Sequence, residues 1–100
     1  MKFAYTYVLL CADNKFYIGS TDDLRRRLRY HENGHVPSTS RRRPVLLLYY
    51  EACLSLSAAR RREKQLKTGY GRKFLKERMA LPSHLPAVPA SGAPDRERES

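Results

Sequence analysis

The feature that most constrains this chain is the uninterrupted apolar run Val45-Leu46-Leu47-Leu48-Tyr49-Tyr50, entered through Pro44. Six such residues are too few for a membrane span, which needs about 20. A run with no polar alternation reads as a strand covered on both faces, so Val45–Tyr50 is expected at the centre of a sheet. The strands to flank it come from the N-terminal part. Lys2 to Leu10 is rich in aromatic and β-branched residues and reads as a strand. Ala12-Asp13-Asn14-Lys15 reads as a turn, and Phe16 to Gly19 as a second short strand, giving a hairpin.

Helices complete the pattern. Ser20-Thr21-Asp22-Asp23 offers caps for a helix that runs to about Glu32 and stops at Asn33-Gly34. A polar, basic loop spans His35 to Arg43. Ser55 and Ser57 can cap a second helix ending at Thr68-Gly69, and a third is expected over Arg72 to Met79. The order predicts a small α+β domain over residues 1–81, with a three-stranded, largely antiparallel sheet flanked by helices. From Pro82 onward Pro, Ser, Ala and Gly dominate, so residues 82–100 are expected to form a disordered tail.

Charge narrows the partners. The chain carries 20 Lys and Arg against 10 Asp and Glu, a net +10. Residues 1–79 hold 18 of the basic and 7 of the acidic residues, so the excess belongs to the folded part. Such a field attracts polyanions, chiefly nucleic acid. Arginines recur in clusters at 25–27, 41–43 and 60–62, and guanidinium forks suit bidentate phosphate contact. Arg26, Arg41, Arg42, Arg43 and Lys67 are the candidate backbone contacts. An ordinary solvated, arginine-rich surface is the plainer explanation of the same clusters. Cys11 and Cys53 have no metal-ligand spacing and read as reduced thiols of a cytoplasmic protein. The first residues lack a secretory pattern, and no membrane partner is expected.

Five residues stand out as chemistry. Tyr5 and Tyr7 share one face of the first strand, and Tyr17 can lie alongside Tyr7 across the hairpin. Arg27 and His31 form an i, i+4 pair on the following helix. Glu63 lies with Ala59 and Leu66 on the inward stripe of the second helix, and is the sole acidic residue between Ala52 and Lys76. Each has a bland reading: a cross-strand aromatic pair, a hydrogen-bonded surface histidine, a helical ion pair of Glu63 with Lys67 or Arg60. Together they can form a phosphate site with one hard oxygen ligand for Mg²⁺ or Mn²⁺.

Tyr5-Thr6-Tyr7, Tyr17-Ile18-Gly19-Ser20-Thr21-Asp22-Asp23-Leu24, Arg27, His31 and the segment Arg62-Glu63-Lys64-Gln65-Leu66-Lys67 resemble the GIY-YIG nuclease superfamily over about residues 3 to 78. The nearest subgroup in pattern is the small single-domain bacterial endonuclease-like proteins, related to nucleases that trim branched DNA. The resemblance implies Tyr7 and Tyr17 as motif tyrosines, Arg27 as catalytic arginine, His31 as active-site histidine and Glu63 as metal ligand. It implies divalent-metal-dependent endonuclease activity on DNA, with RNA as the alternative substrate, and Tyr17 favoured as the phenol that helps activate water. The first motif departs from Gly-Ile-Tyr, and a late Asn of some members has no equivalent here. With no added specificity domain, substrate choice falls to shape and backbone, and a protein partner could supply the rest. The competing expectation is a nucleic-acid-binding domain without turnover.

Overall fold

The computed structural model describes residues 2–80. The expected tail at 82–100 lies outside them. β1 (Ala4–Cys11) and β2 (Phe16–Thr21) form the hairpin, followed by α1 (Leu24–Glu32), a 3-10 turn (Ser40–Arg42), β3 (Val45–Cys53), α2 (Leu56–Leu66) and α3 (Gly69–Met79). Asn14 takes a left-handed φ of 63° in the hairpin turn, a conformation Asn tolerates better than most side chains. Its N–H donates to the Cys11 carbonyl at 2.8 Å.

The sheet is three-stranded and antiparallel, in the order β2-β1-β3. The expectation that Val45–Tyr50 is central is therefore corrected: β3 is an edge and β1 the middle strand. The reason is physical. Hydropathy patterning senses faces and is blind to edges. Both faces of β3 are half-covered, which suffices to make the run apolar, while its outer edge has no strand beside it among the described residues. The true central strand is disguised by hydroxyls. Thr6 and Tyr7 are fully buried, but each has a partner. Thr6 Oγ1 donates to the Ala59 carbonyl at 2.8 Å, and Tyr7 Oη meets His31 Nε2 at 2.7 Å. A satisfied polar group can sit inside a core at little cost.

On one face of β1, Val8 packs with Leu66 and Leu75, and Ile18, Tyr49, Phe74 and Met79 close around them. By strand alternation Tyr7, Leu9 and Cys11 point to the other face, towards α1 and the loop that follows it.

The helix ends follow their local chemistry. Asp23 caps α1 by accepting from the Arg26 N–H at 3.1 Å, and Gly34 adopts the left-handed φ of 80° just beyond the C-cap. Ser55 caps α2, while Ser57 lies inside it. Of the boundaries that differ from expectation, two bear on the site and its support. β2 continues through Ser20 and Thr21, which read as helix caps in the sequence. α3 begins at Gly69, three residues early, because the Thr68 hydroxyl caps it. Gly71 lets this early start pack on α2: a Cβ there would strike the backbone of Leu66.

Candidate active site

The site lies along β2, where β1, α1 and α2 converge. Tyr7 sits opposite Gly19 in the hairpin register. With no side chain at Gly19, the Tyr7 ring lies across β2; a Cβ there would fall 2.6 Å from Tyr7 Oη. Tyr17 is opposite Leu9, so it meets Tyr7 diagonally, with ring centroids 6.3 Å apart. α1 presents Arg27 and His31 to the same place, one turn apart. His31 packs edge-on against both phenol rings, at 5.6 Å from Tyr7 and 5.2 Å from Tyr17.

His31 is fully buried, not the surface histidine of the bland reading. Its Nε2 meets Tyr7 Oη and its Nδ1 meets Thr39 Oγ1, both at 2.7 Å. A neutral imidazole donates through one nitrogen and accepts through the other, so the chain Tyr7–His31–Thr39 fits the uncharged ring. Burial, then the charge of Arg27, pulls the His31 pKa from 6.5 down to about 4. Burial pushes the Tyr7 phenol up to about 12, against the pull of Arg27. Arg27 is held charged chiefly by its contact with Tyr7. Its Nε is buried and has no hydrogen-bond partner. Buried donors are rarely left unpaired, and the described residues supply no acceptor for this one.

Glu63 reaches the cluster from α2. Ser20 Oγ donates to its Oε1 at 2.8 Å, and the Lys67 ammonium sits on Oε2 at 2.6 Å. Tyr7, Tyr17, Arg27 and His31 are thus in mutual contact, and Glu63 stands near enough for its charge to act on the Tyr7 phenol.

The backbone-contact candidates divide. Arg26 lines a cleft beside Arg27. Lys67 pairs with Glu63. Arg42 is bound to Asp13 at 2.8 Å, and Arg43 donates to the carbonyls of Ser40 and Glu32. These two shape the loop, while Arg41, exposed like Arg43, is not tied to it by a side-chain hydrogen bond among the described residues.

A family model described as the GIY-YIG catalytic domain matches residues 3–77. The chain belongs to the GIY-YIG family. Its curated relatives are small bacterial proteins. The UPF0213 protein SH2523 of Staphylococcus haemolyticus is 42% identical over 65 residues, 64% of this chain and 79% of the relative. UPF0213 protein SpyM50708 of Streptococcus pyogenes serotype M5 is 48% identical over 67 residues, 66% and 73% of the two chains. No solved structure matches. GIY-YIG domains are nuclease domains, which makes nucleic acid the class of substrate. No helix among the described residues is long and apolar enough to cross a membrane.

The fit of this GIY-YIG site to a divalent cation can be tested on its donors. Among the described residues no group of three or more His, Cys, Asp or Glu could hold a metal, so there is no all-protein cage. Glu63 instead offers one carboxylate, with the Ser20 hydroxyl beside it and a lysine ammonium already seated on it as a stand-in cation. That suits the open type of site, in which water and substrate phosphate complete the shell of Mg²⁺.

Three contributors escaped the sequence reading. Ser20 reads in the sequence as part of a helix start, although alternation from Ile18 puts it on the α2 face. Gly19 reads in the sequence as the end of a strand and part of the motif, with no role for its missing side chain. Thr39 left no signal, because its role depends on the path of a loop.

Proposed function

We propose that this domain is a divalent-metal-dependent endonuclease that hydrolyses phosphodiester bonds in DNA. The observation that carries the reading is Arg27: a buried guanidinium nitrogen without a partner, among Tyr7, Tyr17, His31 and Glu63. Arg27 binds the scissile phosphate and stabilises the charge that grows on its oxygens as water attacks. Its position is set by Tyr7, whose phenol stays protonated near neutrality. His31 and Thr39 hold Tyr7 in turn, so the Tyr7–His31–Thr39 chain is a rigid brace with no net charge. Tyr17 is half-exposed and is the phenol able to touch water at the substrate; its hydroxyl orients that water for attack on the phosphorus. Glu63 would hold Mg²⁺ or Mn²⁺, steered by Ser20, and Lys67 would turn away to the substrate backbone. When bound, the cation would neutralise phosphate charge and ease departure of the leaving oxygen. The two free thiols, Cys11 and Cys53, support a reducing, cytoplasmic setting.

The rival reading is a binding domain without turnover. It is favoured by the Lys67–Glu63 pair, which occupies the carboxylate that a metal would need. Two variants decide. Glu63→Gln keeps size and helix propensity but removes the charge, and Arg27→Ala removes the phosphate clamp. Both are expected to fold and to bind DNA, while losing Mn²⁺-dependent cleavage of labelled DNA by about a hundredfold or more. Cleavage undiminished in both variants overturns the assignment of the site. A parent protein that binds a broad substrate panel but cleaves nothing with Mg²⁺ or Mn²⁺ leaves the rival reading standing.

A further inference from the structure

Beside the reactive cluster is an open cleft of about 300 Å³, lined by Ser20, Thr21, Asp22, Arg26, Arg27, Tyr30, Leu56 and Arg60. It is continuous with the site, because Arg27 and Ser20 belong to both. Arg26 and Arg60, 34 positions apart in the chain, arrive from different helices, α1 and α2. Arg60 stands three residues before Glu63 on α2, so the two share a side of the helix. It could have closed an ion pair with Glu63. Lys67 takes that carboxylate instead, and Arg60 remains exposed with no hydrogen-bond or ion-pair partner among the described residues. Three guanidinium groups thus face one cleft against the single carboxylate of Asp22.

We infer that this cleft is a second phosphate subsite: Arg60 and Arg26 grip a phosphoryl group next to the one held by Arg27. The inference rests on the proposed nuclease reading and deepens it. Arg27, whose unpartnered nitrogen is buried, takes the reacting phosphate; Arg60 and Arg26, exposed at the cleft, take its neighbour. A polynucleotide supplies such a group either as the adjacent internal diester or as a terminal phosphate. Two grips on consecutive phosphates fix the direction of the strand as well as its position, which one arginine cannot do. The subsite therefore serves positioning: its loss acts on binding and on alignment of the substrate, not on the chemistry of cleavage.

The test uses the full chain without metal, so that binding is measured and not cleavage. Arg60→Ala is compared with Arg61→Ala, which removes the same charge from the next position of α2, an exposed residue that does not line the cleft. Thermal melts establish that both are folded. Arg60→Ala is expected to weaken oligonucleotide binding about tenfold, the scale of a lost charge-assisted contact. It should also reduce the slope of log K against log salt by about 0.9 on duplex DNA. A scan then replaces one phosphate at a time by an uncharged methylphosphonate, and terminal phosphates are added or removed in parallel. The parent should lose affinity at one position next to the cleavage point, or on loss of a terminal phosphate, and Arg60→Ala should be indifferent to that same change. Which substitution matters tells the internal from the terminal source. Equal losses in Arg60→Ala and Arg61→Ala, or an Arg60→Ala variant that keeps the parent's sensitivity, overturn the subsite and leave the nuclease reading intact. A parent that binds no nucleic acid at low salt overturns both.

Discussion

Tyr7 and His31 each occupy a place where only the uncharged form is comfortable, and that makes the brace a source of pH dependence. An unfolded His31 takes up a proton near pH 6.5, while the folded ring resists until about 4. Between those values the unfolded state binds more protons, so stability rises with pH through this window. It is fully present above pH 6.5 and is lost as pH falls through about 4. At about 1.4 kcal/mol for each factor of ten, the shift corresponds to about 3 kcal/mol. Urea melts of the parent should therefore weaken steadily from pH 6.5 to 4, and the slope should flatten in His31→Gln. An equally steep loss in that variant would place the acid sensitivity elsewhere. Gly19 makes a second prediction at this scale. A methyl group there falls on Tyr7 Oη, so Gly19→Ala must push the ring off β2 and away from Arg27. Cleavage should fall by ten- to a hundredfold, about the scale of a misplaced reacting group, with far-ultraviolet circular dichroism unchanged. Parental activity in Gly19→Ala would mean that the ring position is not needed.

The elements were legible in the sequence to the extent that their causes are local. Asn33-Gly34 stopped α1 and Ser55 started α2 as read, because caps depend on one or two side chains. The i, i+4 spacing of Arg27 and His31 brought both to one site for the same reason. Strand order was not legible, since it depends on which edges meet, and the polar spelling of β1 hid its central place. The start of α3 lies ahead of the expected Arg72 because Thr68-Gly69 reads as a stop for α2, whereas Thr68 caps the next helix and Gly71 is where α2 and α3 touch. Gly71→Ala tests that contact. In an open helix the change would stabilise by about 1 kcal/mol. Here the new carbon meets backbone, which cannot swing aside, and overpacking of this kind costs about 1–3 kcal/mol. The melting temperature should fall. A rise would show that α3 rests only loosely on α2.

At the scale of the whole molecule, the reactive groups gather at the β2 edge of the sheet, in a chain whose net charge is +10. Affinity for DNA should be steeply salt-dependent and indifferent to sequence, with each neutralised phosphate adding about −0.9 to the slope. A flat response in binding titrations from 50 to 500 mM salt, roughly the range over which screening becomes strong, would remove the basic surface from the account. The opposite side of the sheet has a different character. The outer edge of β3 carries the apolar stretch Val45–Tyr50, with no strand beside it among the described residues. Such an edge invites a like edge, and the shared positive charge of two copies opposes that approach. Salt that loosens the grip on DNA also lowers that barrier, so the protein should become colloidally unstable in the same conditions that release it from its substrate.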